Sequence, residues 1–176
     1  MRTLITTIAV VFSSIICVNA QDYYKKNKIL SGKEVYEREK LPDGKWFILR
    51  NVKNKLFHEK MIIPNNNMEY CLSMIDFNDL TRKKIETILK ETISAEDKEK
   101  MKTSRTLLLI EFFINDSGKV LELDFDLNKN NAFKPQYLSI IEQRIKNEIV
   151  FSFKSDQLKG SNYIRFNLVF NSMKIF

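Results

Sequence analysis

The sequence predicts an α+β fold, an antiparallel sheet with two or three helices packed on one face. Three features predict it: a pair of strands at residues 106–127, amphipathic helical patterns at residues 76–104 and after Pro135, and an alternating strand at residues 163–172. Strands with one apolar face need a cover, and a helix with one apolar stripe can supply it. We therefore expect a C-terminal β-β-α-β module preceded by an N-terminal β-hairpin.

The strand pair at residues 106–127 is the clearest local pattern in the chain. In its second strand, apolar residues alternate with the acids Glu122, Asp124 and Asp126, which is the period of a half-buried strand. Its first strand has one apolar face and one mixed face that includes Glu111, so we expect it to be central in the sheet and largely covered. Gly118, in the polar connection, can take the positive φ that suits a short hairpin loop.

The three acids of that strand allow two interpretations. Successive side chains on one face of a strand lie about 7 Å apart, a spacing that could serve paired-carboxylate chemistry or a calcium ion. The solvent-exposed face of a strand explains them more simply. We therefore interpret Glu122, Asp124 and Asp126 as a solvated face.

An N-terminal hairpin is predicted at residues 34–51. Its turn is the stretch from Leu41 to Gly44, in which a proline presets φ and an Asp-Gly pair permits the reversal. The polar, lysine-rich residues 21–33 that precede it are expected to be a loose lead-in. A further short strand is predicted within residues 68–75.

Helix signals occupy the middle and the C-terminal third of the chain. Residues 76–93 have apolar side chains at three- and four-residue spacing, and Ser94 caps a second predicted helix. Pro135 suits the first turn of a third helix with an apolar stripe, formed by Leu138, Ile141, Ile145 and Ile149. The prediction is one domain, residues 21–176, with three segments: 34–75, 76–104 and 105–176.

The first 20 residues have the pattern of a signal peptide. Arg2 is the only charge before an apolar stretch, and a small residue, Ala20, stands at the predicted cleavage point. Threonines and serines interrupt the stretch and disfavour a permanent membrane span. Ile16 precedes Cys17 where lipoprotein processing prefers a small residue, so anchoring at Cys17 is not expected. Cleavage after Ala20 predicts an exported protein, periplasmic or secreted.

Cleavage would leave 156 of the 176 residues, with Cys71 as the single thiol and no internal disulfide. Stability must then come from burial. The formal charge of +7 would lose the contribution of Arg2, and the remaining lysines lie among acids, as on ordinary solvated faces. There is no basic stripe interleaved with aromatics, so nucleic-acid binding is not expected.

The C-terminal features occur in the order of a known family. They are a strand ending at Ile114, the turn residue Gly118, the amphipathic helix, an exit through Phe151 and Phe153, and a last strand ending at Phe170. Residues 107–170 thereby resemble the TonB C-terminal domain and its relatives in bacterial envelopes. The resemblance implies a small antiparallel sheet backed by helices, which binds an extended segment of an envelope protein by adding it to a sheet edge.

The chain departs from that family at three points. Lys154 is followed by Ser155 where the family usually has proline, there is no proline-rich spacer, and no retained membrane anchor is expected. An energy transducer is therefore not expected. In length and layout the chain also resembles small exported proteins of uncharacterised families in gut-type Gram-negative bacteria.

Candidate catalytic residues are few. His58 is the only histidine, and with Cys71 it could form the nucleophilic pair of a secreted hydrolase, oriented by Asp76. Cys71 lies between Tyr70 and Leu72, and a small core residue explains it better. One His and one Cys are too few for an ordinary zinc site, and the isolated glycines form no phosphate-binding loop. We expect no enzyme, no catalytic residue, no cofactor and no metal.

The expected function is a non-enzymatic protein- or peptide-binding or scaffolding domain of the cell envelope. Its partner would be an envelope protein or peptide that joins the edge of the last strand. The residues expected to contact the partner are Tyr163, Arg165, Asn167 and Asn171. The alternatives are the secreted hydrolase described above and a structural or inhibitor-like surface protein that works through its N-terminal hairpin.

Overall fold

A computed structural model describes residues 23–64, 75–76 and 79–176 of the chain. The predictions for the signal peptide, cleavage after Ala20, Cys17 and Cys71 lie outside the described residues. Over the described residues the fold is α+β, as predicted, with a six-stranded antiparallel sheet, four α-helices and a second sheet of two short strands.

The described residues form eight strands. They are β1 (Lys28–Ser31), β2 (Glu34–Lys40), β3 (Trp46–Asn51), β4 (Ile75–Asp76), β5 (Leu107–Ile114), β6 (Val120–Asn128), β7 (Ser152–Phe153) and β8 (Ile164–Asn171). The large sheet has the order β1-β2-β3-β6-β5-β8, and each neighbouring pair is antiparallel. The pair β4–β7 forms the small sheet. Both predicted hairpins, β2–β3 and β5–β6, are confirmed.

The helices are α1 (Asp79–Thr92), α2 (Ala95–Thr103), α3 (Leu138–Glu148) and the short C-terminal α4 (Ser172–Ile175). Ser94 caps α2 as predicted, because its hydroxyl accepts a hydrogen bond from the Asp97 N–H at 3.2 Å. A 3₁₀ turn, Pro135–Tyr137, leads into α3 and places the proline where no helical N–H is lost.

The register aligns apolar side chains in rows across the sheet. Leu49, Phe125, Ile110 and Leu168 are successive partners across β3, β6, β5 and β8. Parallel rows on either side contain Phe47 with Phe170 and Phe112 with Phe166, and all of these except Leu168 are buried. Each large apolar side chain buried in such a row stabilises the fold by about 1.5–3 kcal/mol.

Helices α1 and α3 cover this face and pack against each other. The face of α1 that is turned inward carries Ile85 and Leu89, and α3 contributes Ile141 and Ile145, all with no exposed surface. The 3.6-residue period of both helices is therefore explained by one shared apolar layer. The opposite face of the sheet is covered by no α-helix among the described residues, and we call it the open face.

A buried polar cluster joins the sheet to α3. Glu142, only 4% exposed, accepts hydrogen bonds from the Tyr36 hydroxyl, from Asn51 Nδ2 at 3.2 Å and from Lys146 Nζ at 2.7 Å. Burial raises the pKa of Tyr36 far above its ordinary value, so its hydroxyl remains a donor. The cluster satisfies a carboxylate that would otherwise be costly to bury.

The β5–β6 loop confirms the predicted role of Gly118. Its φ is +82°, and a Cβ added there would lie 1.8 Å from the carbonyl oxygen of Phe151. The Phe151 N–H also donates to the Gly118 carbonyl at 2.9 Å. Glycine is needed here both for the backbone conformation and for the close approach of another strand.

The prediction of a loose lead-in is wrong, and the predicted alternation of β6 is interrupted at its start. The expected loose lead-in contains β1, which pairs with β2, and Tyr24, which is 3% exposed and donates to the Phe133 carbonyl at 2.9 Å. A β-bulge shifts the register between Phe113 and Ile114, so Leu121 lacks a partner residue and is half-buried. Val120 takes the buried position instead, because the bulge inserts one extra residue in β6.

Candidate functional site

The outer edge of β8 is the feature on which the predicted site depends. Among the described residues, β8 pairs with β5 only and is the last strand of the sheet. Just beyond β8, the Ser172 N–H donates to the Thr106 carbonyl at 3.1 Å. The Val169 carbonyl accepts instead from the Arg82 guanidinium at 2.7 Å. Backbone groups alternate between the two edges of an antiparallel strand, so the odd-numbered residues point outward.

Two outward-pointing residues of β8 have free backbone groups. No described residue donates to or accepts from the outward N–H and C=O of Arg165 and Asn167. Each residue directs both groups to the same side, so each offers one donor and one acceptor. We call the outward backbone of Arg165, Asn167 and Val169 the β8 edge; Arg82 occupies its carbonyl at Val169.

The side chains predicted to contact a partner have different surroundings. Tyr163 is 3% exposed, and its hydroxyl donates to the Glu59 carbonyl at 2.6 Å, so its side chain belongs to the interior. Asn171 caps α4 by accepting from the Met173 N–H at 2.9 Å. Asn167 is exposed. Tyr163 and Asn171 are thus engaged within the protein, and the surface available to a partner is smaller than the four predicted residues would form.

Arg165 belongs to a charged layer on the open face. It forms a two-bond pair with Glu111, with Nε–Oε1 at 2.6 Å and Nη2–Oε2 at 2.9 Å. The rings of Phe57 and Phe113 lie 5.0 and 5.6 Å from its guanidinium carbon. The pair with Glu111 raises the pKa of Arg165 above its ordinary value, so it stays charged and is held in place.

A crossing segment, residues 52–64, runs over the open face from the end of β3 to the start of β8. Asn54 Nδ2 donates to the Leu123 carbonyl at 2.9 Å and to Asp124 Oδ1 at 3.0 Å. At the far end the Ile62 N–H donates to Asn162 Oδ1 at 2.8 Å. The segment removes part of the open face from water, although no sequence pattern predicted such a cover.

The interpretation of the β6 acids as a solvated face is wrong for Asp124. This residue has no exposed surface, and its Oδ2 accepts from Arg50 Nε at 2.8 Å. The Arg50 guanidinium carbon lies 3.5 Å from the centre of the Phe57 ring. Burial raises the pKa of Asp124 although Arg50 and Asn54 oppose the change. Glu122 is also engaged, accepting from the N–H groups of Lys55 and Leu56.

Asp126 is the least satisfied member of the acidic row. In the sheet register it lies between Ile48 and Leu109, and its Oδ1 is buried without a hydrogen-bond partner among the described residues. Burial raises its pKa, the charges of Glu111 and Asp124 add to the rise, and the result is about 7. Asp126 therefore exchanges a proton near neutral pH.

The chemistry available on the open face is limited by these pairings. Arg50 and Arg165 neutralise Asp124 and Glu111, and no group of three or more His, Cys, Asp or Glu in the described parts of the chain could hold a metal ion. His58 is exposed in a 3₁₀ turn, Leu56–His58. Its predicted partner Cys71 is outside the described residues. Within the same residues, no helix has the length and apolar character needed to cross a membrane.

The charged layer itself could have been found from the sequence only in part. Glu111, Asp124 and Arg165 occupy alternate positions in strands whose other faces are apolar, which marks them as sharing one face. The pairing of Arg50 with Asp124 across 74 positions and the cover by Phe57 depend on strand order and on the crossing segment. Neither has a local sequence signal.

Comparisons with known proteins show the fold. A scan against protein-family models finds no match, and a search of curated proteins finds none either. One similar solved structure is the crystal structure of a DUF5043 family protein from Bacteroides uniformis. It is 19% identical, has a TM-score of 0.68, and the match covers 85% of this chain and 86% of that one. The two chains share this arrangement of strands and helices over most of their length.

Proposed function

We propose that the chain is an exported, non-enzymatic domain of the cell envelope that binds an extended protein segment as an added strand beside β8. The observation that carries the proposal is the β8 edge, where Arg165 and Asn167 direct away from the sheet donors and acceptors that no described residue uses. An edge of this kind is the site used in β-strand addition, where main-chain hydrogen bonds supply affinity. The signal-peptide pattern of residues 1–20 and the TonB-like order of the C-terminal elements support the same function.

The size of the edge limits the expected affinity. Two outward residues can make about four main-chain hydrogen bonds, each worth about 0.5–1.5 kcal/mol net. Association itself costs several kcal/mol. A peptide bound through the backbone alone would thus be very weak, with a Kd of about 1 mM or more. Side-chain contacts must add to this, and Val169, which is 45% exposed beside Asn167, offers an apolar one.

The contact of Arg82 with the β8 edge also supports the proposal. Its guanidinium already donates to the outward carbonyl of Val169, so one position of the edge has a partner that imitates a strand N–H. Such covering is one way in which proteins limit uncontrolled edge pairing. Arg82 thereby sets the length of an incoming strand, because the strand must end at Asn167 or displace the guanidinium.

The test removes one outward donor while leaving the sheet intact. Asn167→Pro deletes the outward N–H but no hydrogen bond of the β5 ladder, a position that edge strands tolerate. Asn167→Ala is the matched control, because it removes the side chain and keeps the N–H. Leu168→Pro, which deletes a ladder donor, should destabilise the fold and shows that the assay detects ladder damage.

Peptides selected from a displayed library against the native chain provide the ligands. Selected peptides should bind the Asn167→Ala variant normally, bind the Asn167→Pro variant at least tenfold more weakly, and protect the amides of Arg165 and Asn167 from hydrogen exchange. If binding survives the proline, if those amides exchange freely in the complex, or if selection yields no binder, strand addition at β8 is wrong. The mass of the native protein should also show Gln21 as its first residue.

A further inference from the structure

The sheet has a second edge at β1, at the opposite end from β8. Among the described residues, β1 pairs with β2 only. Directly before β1, the Arg38 N–H donates to the Asn27 carbonyl at 2.7 Å. Hydrogen-bonded pairs alternate along an antiparallel ladder, so Ile29 directs its backbone groups to β2, whereas Lys28 and Leu30 direct theirs outward. No described residue donates to or accepts from these outward groups, which we call the β1 edge.

A groove of about 570 Å³ lies along the β1 edge. Its described lining comes from the segment before β1, from β1 itself and from the 3₁₀ turn before α3, which packs beside β1. Lys28, Glu37 and Arg50 are successive partners across β1, β2 and β3, so the Lys28 side chain lies on the open face, and Leu30 shares that face. The 3₁₀ turn lies on the helix-covered face, like the buried Ile29. A strand added beside β1 would therefore place alternate side chains on the open face and against the 3₁₀ turn.

Exposed apolar side chains accompany the unused backbone groups. Leu30 is 69% exposed and Tyr23 is 42% exposed, and both line the groove. The half-buried Pro135 contributes apolar surface from the 3₁₀ turn. An edge strand that combines unused backbone groups with an exposed apolar side chain is a template for pairing with another chain.

The charge of the groove limits which chain can pair there. Its described lining contains four lysines and no acid: Lys25, Lys26, Lys28 and Lys134. The Lys134 ammonium is paired with Asp97 at 2.8 Å. Lys28 contacts Glu37 only at 3.7 Å, and both side chains are exposed, so this pair contributes little. Lysines along an edge repel a basic strand and attract an acidic one.

We propose that the β1 edge binds an extended acidic segment of a partner protein, which adds to the sheet as a further strand. An apolar side chain of that segment lies beside Leu30, and an acidic one lies beside Lys28. Two outward residues make only about four main-chain hydrogen bonds, so charge must supply most of the selectivity. The proposal goes beyond strand addition at β8, because four strands separate β1 from β8.

The probe is a synthetic peptide with the core Glu-Glu-Val-Glu-Glu, flanked by threonines. This core reads the same in both directions, so it suits a parallel or an antiparallel strand with its valine opposite Leu30. The matched control peptides replace every glutamate by glutamine or by lysine. In NMR titrations of the isotope-labelled chain, the acidic peptide should bind about tenfold or more tightly than the glutamine peptide, and the lysine peptide should not bind. Added salt should weaken binding of the acidic peptide.

The same spectra locate the peptide on the chain. In the free chain, the outward amides of Lys28 and Leu30 should exchange with solvent faster than the amide of Ile29, which the β1–β2 ladder engages. The acidic peptide should shift the amides of Lys28 and Leu30 and protect them from exchange. It should leave the amides of Arg165 and Asn167 unchanged.

Two variants test the backbone and the charges separately. Leu30→Pro deletes an outward N–H and no bond of the ladder, so it should weaken binding about tenfold or more, whereas Leu30→Val keeps the N–H and should bind like the native chain. The double variant Lys26→Gln with Lys28→Gln should also weaken binding about tenfold. Its control, Lys33→Gln with Lys45→Gln, removes the same charge from exposed lysines outside the groove and should bind like the native chain. The charge variants remain informative if Leu30→Pro fails to fold.

Several results would overturn the proposal. These are no binding of the acidic peptide, equal binding of the acidic and glutamine peptides, equal losses in the two double variants, or amide shifts at Arg165 and Asn167 in place of β1. Asn167→Pro should leave the titration unchanged. The β1 edge and the β8 edge can therefore fail separately.

Discussion

Replacement of Asp126 by asparagine should make the protein more stable at alkaline pH relative to the native chain. Asp126 lies on the open face among Glu111, Asp124, Arg50 and Arg165, and burial, followed by the charges of Glu111 and Asp124, raises its pKa from 3.8 to about 7. The two arginines oppose this rise without cancelling it. Ionised Asp126 is therefore a cost to the native state, because its buried Oδ1 has no hydrogen-bond partner among the described residues.

The sign follows from proton linkage. Between about pH 4 and pH 7 the native carboxyl holds a proton that the unfolded chain has released, so the free energy of unfolding falls as pH rises through this window. A rise in the pKa from 3.8 to about 7 can change the free energy of unfolding by at most about 4 kcal/mol. The carboxyl is partly exposed, and solvent screening reduces this to about 1–2 kcal/mol.

The assay is urea unfolding of the native chain and the Asp126→Asn variant at pH 4, 6 and 8. The stability of the variant relative to the native chain should rise by about 1–2 kcal/mol between pH 4 and pH 8, or about 2–8 °C in Tm. Asp43→Asn, which removes an equal charge from the exposed turn, should change stability by less than about 0.5 kcal/mol at each pH. A stability difference between Asp126→Asn and the native chain that does not change with pH would refute the reasoning.

Two further substitutions test the backbone and the buried cluster. Gly118→Ala should lower the free energy of unfolding by about 3 kcal/mol or more, because the added Cβ meets the Phe151 carbonyl. Gly44→Ala is the control: its φ is also positive, at +64°, but the added Cβ meets open space, so the loss should be about 1–2 kcal/mol. Equal losses in urea unfolding would contradict the contact with Phe151. Tyr36→Phe removes a hydrogen-bond donor from buried Glu142 and should lower the free energy of unfolding by about 1–3 kcal/mol. The circular dichroism spectrum should change little. An unchanged midpoint of urea unfolding would contradict the importance of that hydrogen bond.

Local sequence patterns predicted most of the elements correctly. The two hairpins, the helices before and after the central strands, the cap at Ser94 and the positive φ of Gly118 are all confirmed. Each depends on residues within a few positions of one another, through side-chain period, capping or turn chemistry. The lead-in was misread because β1 has only four residues and follows a lysine-rich stretch, and its pairing with β2 is what makes it a strand.

The candidate sites were predictable only in part. The alternation in the last strand placed Asn167 on its polar face, but it could not show that Tyr163 is anchored to the crossing segment or that Asn171 caps a helix. The burial of Asp124 was missed because its partner Arg50 is distant in sequence.

The sequence by itself determined the period of each element, and therefore the α+β class and the face that each strand and helix must bury. Tertiary structure alone decided the strand order, which leaves β8 at the margin of the sheet with Arg82 at its edge. It also decided which charges are paired on the open face. Period is a property of neighbouring residues, whereas burial and electrostatic pairing depend on contacts between distant segments, which exist only after the sheet has formed.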